Sequence, residues 1–383
     1  MVKATIRPLQ YRDLDDIEQN LIQTDSDPCV ADLQEQIDQI RSWYGLLKVL
    51  DCFPNPLQNY STIYVAEREQ KILGFIQVSP ENDSRSTWRV ERVITNSSLG
   101  SFLDHGSQLL RYCFEKLWEA RTWILEVNIQ QVDSLALYRQ NGFQPIAHLT
   151  YWSLSPEKLT TVAQRSPELA NLMPVSNAEA QLLYQLDCVS MPPLLRQVYD
   201  LHPQDFKKGL LTQPLVTLKN SWSGTEIKEA FVFEPQRKAA IAYFCLKIAH
   251  NQAHQLKLTV HPAYTWLYEP VLCKIAQIIS SYGLEQNLEL VSADYQPERE
   301  EYLERIGADR VKHNLLMSRS VWHKLREVRQ EGLQLSDVLQ GLKPSSIPTR
   351  LSSFTSISQM LPLENSEIQT FNNHNDKSRG NNT

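Results

Sequence analysis

Hydrophobic and polar positions recur along this chain with two periods, and the order in which the periods alternate predicts its elements. Residues 3–8 read as a strand, Pro8 opens a polar turn, and Leu14, Ile17 and Leu21 repeat at helical spacing. A second helical stretch covers about residues 30–50. Ser61 to Glu67 alternates as an extended segment, Glu69-Gln70-Lys71 makes a turn, and Ile72 to Ser79 returns as its antiparallel partner, the pattern of a hairpin. Trp88 to Thr95 is a further strand. Leu109, Leu110, Cys113, Phe114, Leu117 and Trp118 mark one face of a helix, and Trp123 to Asn128 is strand again.

The run Asp133-Ser-Leu-Ala-Leu-Tyr138-Arg-Gln-Asn-Gly142-Phe143 follows. Leu135, Leu137 and Tyr138 fall near one helical face, Gly142 can take the left-handed conformation that ends a helix, and Gln144 to Leu154 reads as a strand. Tyr138 thus stands one turn before a helix end, either as a core aromatic or with its hydroxyl facing a cleft. The run resembles the A/S-x-x-x-Y-x-x-x-G-F signature of the GNAT acetyltransferase superfamily. In that family the tyrosine often gives a proton to the departing CoA thiolate. The element order β-α-α-β-β-β-α-β-α-β over residues 3–155 is also similar to the GNAT arrangement.

A second series follows with nearly the same spacing. Glu229 to Glu234, Ala239 to Ala249 and Gln255 to Val260 repeat three strands, Trp266 to Tyr282 repeats the long apolar helix, and Asn287 to Ala293 the strand after it. Tyr302-Leu303-Glu-Arg-Ile-Gly307-Ala308 repeats the glycine-stopped helix, and Val311 to Val321 the last strand. The expected fold class is therefore α+β: two tandem GNAT-like domains, each a mixed, mostly antiparallel twisted sheet flanked by helices. The expected boundaries are 1–155 for the first, 156–171 for a linker and 172–328 for the second. From about residue 340 the chain turns to Ser, Thr, Asn, Gln and Pro, and residues 340–383 read as a disordered tail.

Composition narrows the function without fixing it. The 383 residues are 42% hydrophobic and 9% aromatic, as expected for folded cores. The formal net charge is −6 with both signs interspersed, which argues against nucleic acid and against an anionic membrane surface. No apolar run approaches the ~20 residues that cross a bilayer, and the first residues lack a signal core, so a cytoplasmic protein is expected. The cysteines, Cys29, Cys52, Cys113, Cys188, Cys245 and Cys273, form no C-x-x-C pair and read as reduced thiols. His250, His254 and His261 lack helical i, i+4 spacing or an accompanying carboxylate, so no metal is expected.

A transferase of the kind the resemblance implies uses acetyl-CoA as co-substrate and a small-molecule or protein amine as acceptor. Its pyrophosphate rests on amides at a helix N-terminus, where unpaired N–H groups favour an anion. The family loop Q/R-x-x-G-x-G/A corresponds to Ser101-Phe-Leu-Asp104-His105-Gly106, which keeps only the last glycine. Gly106, Ser107 and Gln108 are the expected phosphate contacts, whereas Asp104 is equally an N-cap of a helix that binds nothing. The pantetheine arm is expected along Val93, Ile94 and Thr95, with Gln131 and Ser134 as further CoA contacts. Glu91, the carboxylate of that strand, is the candidate general base or a merely solvated side chain; Tyr138 is the candidate acid.

The second series departs further from the pattern. Its loop, Val260-His-Pro-Ala-Tyr-Thr-Trp-Leu-Tyr-Glu-Pro270, has no glycine, and Leu303 and Arg299 stand where the first series has Tyr138 and Ser134. It is expected to be degenerate and to shape the acceptor cleft of the first. Two functions are open at this point: an N-acetyltransferase with one active site, or a catalytically inert relative that binds a CoA ester, a metabolite or a protein.

Overall fold

The computed structural model describes residues 4–17, 62–96, 101–165, 167–207, 225–250, 252–283 and 285–321, all within one compact unit, Met1–Lys324. The helical stretch expected at 30–50, Leu21, Ser61, Cys29, Cys52 and the tail at 340–383 lie outside the described residues. Among the described residues twelve strands form a single sheet: β1 (Thr5–Pro8), β2 (Thr62–Arg68), β3 (Lys71–Pro80), β4 (Thr87–Thr95), β5 (Thr122–Asn128), β6 (Gln144–Leu154), β7 (Leu172–Pro174), β8 (Thr225–Glu234), β9 (Ala239–Ala249), β10 (His254–Val260), β11 (Leu288–Ala293) and β12 (Asp309–Ser320). Their spatial order is β1-β2-β3-β4-β5-β12-β6-β11-β10-β9-β8-β7.

That order exchanges the last strand of each half. β12, the final strand of the second series, lies antiparallel between β5 and β6, and β6, the final strand of the first, pairs antiparallel with β11. The exchange carries the cores with it. Leu315 and Met317 of β12 complete a cluster built from Trp88, Leu109, Leu110, Trp123, Leu125 and Phe143. Trp152 and Leu154 of β6 complete another around Phe244, Val271, Ile275 and Leu290. An exposed edge strand is a row of unpaired amides and carbonyls, so each half covers the inner edge of the other.

The helices form where apolar spacing and caps agree. The helix α2 (Phe102–Lys116) starts at Ser101, whose hydroxyl accepts from the Asp104 amide at 3.4 Å, and buries Leu109, Leu110, Cys113 and Phe114. It stops at Lys116, so Trp118, expected on its apolar face, is 72% exposed. The helix α3 (Val132–Gln140) ends at Gly142 with φ +82, as its glycine predicts. The segment expected as a linker at 156–171 holds a helix of its own, α4 (Pro156–Ala163), because Leu159 and Val162 share a face and pack into the second core. That core also takes α7 (Tyr268–Ser281) and α8 (Pro297–Arg305). Of the remaining helices, α1 (Asp13–Ile17) packs against β3, α5 (Ala180–Ser190) on Phe231 and Ala240, and α6 (Pro193–Tyr199) on Ala147 and Leu316.

Candidate functional site

Only two neighbouring strand pairs in the described sheet are parallel, and both open into forks. β4 and β5 pair from Thr87–Val90 against Thr122–Leu125 and then part. β10 and β11 pair from His254–Leu256 against Leu288–Leu290 and part in the same way. In the first fork a β-bulge coincides with the parting point: Val78 pairs with Val90 and Gln77 with Arg92, so Glu91 has no partner in the β3 ladder. Glu91 is therefore the first residue past the fork and the extra residue of the bulge. Its side chain is exposed, with Oε1 accepting from the Ser79 hydroxyl at 2.5 Å.

Val93, Ile94 and Thr95 follow on the fork's β4 edge, paired on their other side with Ile76, Phe75 and Gly74. Gly74 has a steric reason to be glycine: a Cβ there would lie 2.5 Å from the Ile94 carbonyl oxygen. Past Val90 this edge offers main-chain groups that β5 does not engage. Among the described residues, buried polar atoms without hydrogen-bond partners include Arg92 Nε and Nη1 and Thr95 Oγ1 on β4 and His105 Nδ1 and Gln108 Oε1 on α2. Burial pushes the His105 imidazole pKa down, with the Arg68 charge acting the same way.

The start of α2 is arranged differently from the expectation. Its first intrahelical bond runs from the His105 amide to the Ser101 carbonyl and the Asp104 amide is taken by the Ser101 hydroxyl, so the helix itself leaves the amides of Phe102 and Leu103 over. Gly106 lies a turn inside, buried so tightly that a Cβ would sit 2.7 Å from Leu137 of α3. Ser107 is buried as well, its hydroxyl accepting from Asn141 Nδ2 at 2.8 Å at the end of α3. Gly106 and Ser107 thus bring α2 and α3 together instead of facing the helix mouth.

On α3, Gln131 is exposed at the N-cap, its amide donating to the Asn128 carbonyl at 3.0 Å, and Ser134 is half-buried in the first turn. Tyr138 is 7% exposed and meets Phe143 edge-to-face at 5.8 Å between centroids. The ring packs in the first core.

Sequence reasoning missed the polar network on the opposite face of the fork. Arg89 donates to Glu81 at 2.8 Å and to Glu126 at 3.0 Å, and the Tyr151 hydroxyl donates to the other Glu126 oxygen. Burial and then the Glu126 charge push the Tyr151 pKa up. Glu126 follows Leu125, the last β5 residue in the parallel ladder, so the network ties that strand at the fork to β6. The signal was there as opposite charges at Arg89 and Glu126 in neighbouring strands, but their pairing needed the register.

The second fork is closed. Arg299 of α8 is 4% exposed, and its guanidinium donates to the Leu258 carbonyl of β10 at 2.6 Å and to the Val291 carbonyl of β11 at 2.9 Å. The same group lies 5.7 Å from the Tyr268 ring centroid. Arg299 stands eight residues before Gly307, as Ser134 stands eight before Gly142. A serine side chain is too short to span two diverging strands. Among the described residues no cluster of His, Cys, Asp and Glu has metal-binding geometry, the four cysteines Cys113, Cys188, Cys245 and Cys273 are free, and no helix is long and apolar enough to cross a membrane.

Residues 33–143 match the model of the acetyltransferase (GNAT) family. Among solved structures, a tandem GNAT protein from the clavulanic acid biosynthesis pathway superposes with a TM-score of 0.54 at 12% identity, over 84% of this chain and 100% of that one. A GCN5-related N-acetyltransferase from Sphaerobacter thermophilus gives a TM-score of 0.51 at 11% identity, over 84% and 96%. None of the curated proteins matches significantly in sequence.

Proposed function

The chain is a tandem GNAT-fold protein with a GNAT-family domain in its first part, and on that premise we propose that it transfers an acetyl group from acetyl-CoA to a primary amine, using one of its two forks. The observation that carries this reading is the contrast between the forks. The β10–β11 fork holds the Arg299 guanidinium on the carbonyls that a pantetheine amide would address. At the β4–β5 fork the corresponding side chain is Ser134, and past Val90 no described strand pairs with the β5 side of Val93, Ile94 and Thr95.

In this reading the pantetheine arm lies along Val93–Thr95, and the pyrophosphate meets the amides of Phe102 and Leu103 at the head of α2, within reach of Gln108 and the α3 residues Gln131 and Ser134. Asp104 disfavours the phosphates there, while its negative charge in the first turn stabilises α2 through the helix dipole. The amine nitrogen attacks the thioester carbonyl carbon and the C–S bond breaks, leaving an amide and a thiolate. Glu91 takes the proton lost by the nitrogen, directly or through water, and Tyr138 gives one to the sulfur. The acceptor is a small molecule or a protein bearing a primary amine, and the protein acts in the cytoplasm.

The burial of Tyr138 favours a second reading, a relative that binds CoA esters without turnover. One experiment separates them. Calorimetric titration of the full chain with acetyl-CoA, and with desulfo-CoA for comparison, should give saturable binding at about one per chain. Thiol release in the presence of an amine panel should then follow. Binding without release for any amine supports the inert relative, and no binding at all overturns both readings.

A further inference from the structure

A cleft of about 710 Å³ lies away from both forks and is built by both halves of the chain. Its walls include Arg111 of α2, Thr122 of β5, Gln144 of β6, Gln197 of α6, and Ser318 and Arg319 of β12. Thr122 pairs with Ser320 at the foot of β5, four residues before Glu126, which places this cleft about 13 Å along the strand from the first fork. The volume suits a small organic ligand.

Its charge is one-sided. Two arginines line the cleft, and among the described residues no aspartate or glutamate does. Arg319 is held in place: its guanidinium lies 4.2 Å over the Phe114 ring, donates to the Asn141 carbonyl at the end of α3, and passes Gly142, where even a Cβ would come within 3.6 Å of its Nε. Burial lowers the Arg319 pKa, and the charge of Arg111 lowers it further, so the two cations feel each other. Capping α3 and stacking on Phe114 account for Arg319. They do not account for Arg111, which is exposed and has no ion-pair partner among the described residues. Like charges brought together without a counter-charge repel, and paired guanidinium forks match the oxygens of a carboxylate or phosphate.

We infer that this cleft binds a small-molecule oxyanion, carrying a phosphate or a carboxylate, between Arg111 and Arg319. The remaining lining supplies neutral donors: the hydroxyls of Thr122, Ser318 and Ser320 and the amides of Gln144 and Gln197. Because α2, β6, β12 and α6 all contribute, an occupant stabilises the exchanged strands in place, and binding raises the melting temperature.

The test is thermal and calorimetric titration of the full chain with inorganic phosphate in one arm and succinate in another, against sodium chloride at matched ionic strength. One oxyanion is expected to bind saturably, and the arm that saturates tells phosphate from carboxylate recognition. Arg111→Gln, which removes an exposed side chain, should weaken that binding at least ten-fold and leave acetyl-CoA affinity unchanged. Arg319→Lys keeps the cation and loses the fork, and should weaken it too. The inference fails if neither oxyanion exceeds the chloride control, if Arg111→Gln leaves affinity intact, or if the oxyanion is displaced by acetyl-CoA, which would place it at the head of α2. The acetyl-CoA titration of the parent chain reports separately on the transferase reading.

Discussion

At the scale of single residues, burial decides what each polar group can do. Tyr138 carries the sharpest consequence of the proposed chemistry. Tyr138→Phe keeps the ring against Phe143 and should keep acetyl-CoA affinity while lowering turnover by about 10²–10⁴-fold, the usual loss when a general acid is removed. If the ring serves packing alone, turnover stays near wild type and only a hydrogen bond of about 1 kcal/mol is at stake. His254 makes a prediction independent of catalysis. It is wholly buried, its Nδ1 accepts from the Ala249 amide at 3.2 Å, and burial, with His250 adding to it, pushes its pKa below the ordinary histidine value. The unfolded chain therefore binds the proton more readily than the folded one. Stability is full above the unfolded pKa of about 6.5 and is lost as pH falls through it toward the folded value. Melting at pH 7.5 and pH 5.0 should show this fall, and His254→Asn, whose Oδ1 can still accept from Ala249, should show a smaller one. Equal falls would remove His254 as the cause.

At the scale of elements, the two forks share a backbone plan and differ in one side chain. Arg299 is a charged donor to two buried carbonyls, and charge-assisted bonds of this kind contribute about 1.5–3 kcal/mol each. Arg299→Ser should accordingly cost about 3–5 kcal/mol of stability, seen as a lower urea midpoint at unchanged slope. It should leave acetyl-CoA stoichiometry at one per chain, because Pro270 still stands in the first turn of α7. Two acetyl-CoA per variant chain would show that Arg299 alone closes the second fork. The glycine rhythm that aligned Ser134 with Arg299 was visible in the sequence. That the arginine bridges the fork was not, because its carbonyl partners lie 41 and 8 residues away on strands whose divergence is a property of the folded sheet.

At the scale of the whole molecule, strand exchange binds the halves into one cooperative body. Residues 1–160 alone would lack β12, leaving the inner edge of β5 and the cluster around Trp123 open; residues 165–335 alone would lack β6 and with it Trp152 and Leu154. Each fragment expressed alone should be insoluble or molten, the two co-expressed should recover a common particle, and the intact chain should melt in a single transition. Two well-separated transitions, or a soluble native-like 1–160 fragment, would contradict this coupling. The sequence by itself determined the elements, because hydrophobic period, caps and turn residues act within a few positions: the β2–β3 hairpin, the apolar face of α2 through Leu109, Leu110, Cys113 and Phe114, the Gly142 stop and the second series all stand where the pattern puts them. It also marked Glu91 and Tyr138, which chemistry singles out by type. Only the tertiary structure decided that β6 and β12 trade places, that Gly106 and Ser107 serve helix contact, that Arg89, Glu126 and Tyr151 meet, and that Arg111 and Arg319 share a cleft. Each of these joins residues far apart in the chain, and a strand's apolar alternation fixes which side chains are buried without fixing which neighbour the strand pairs with.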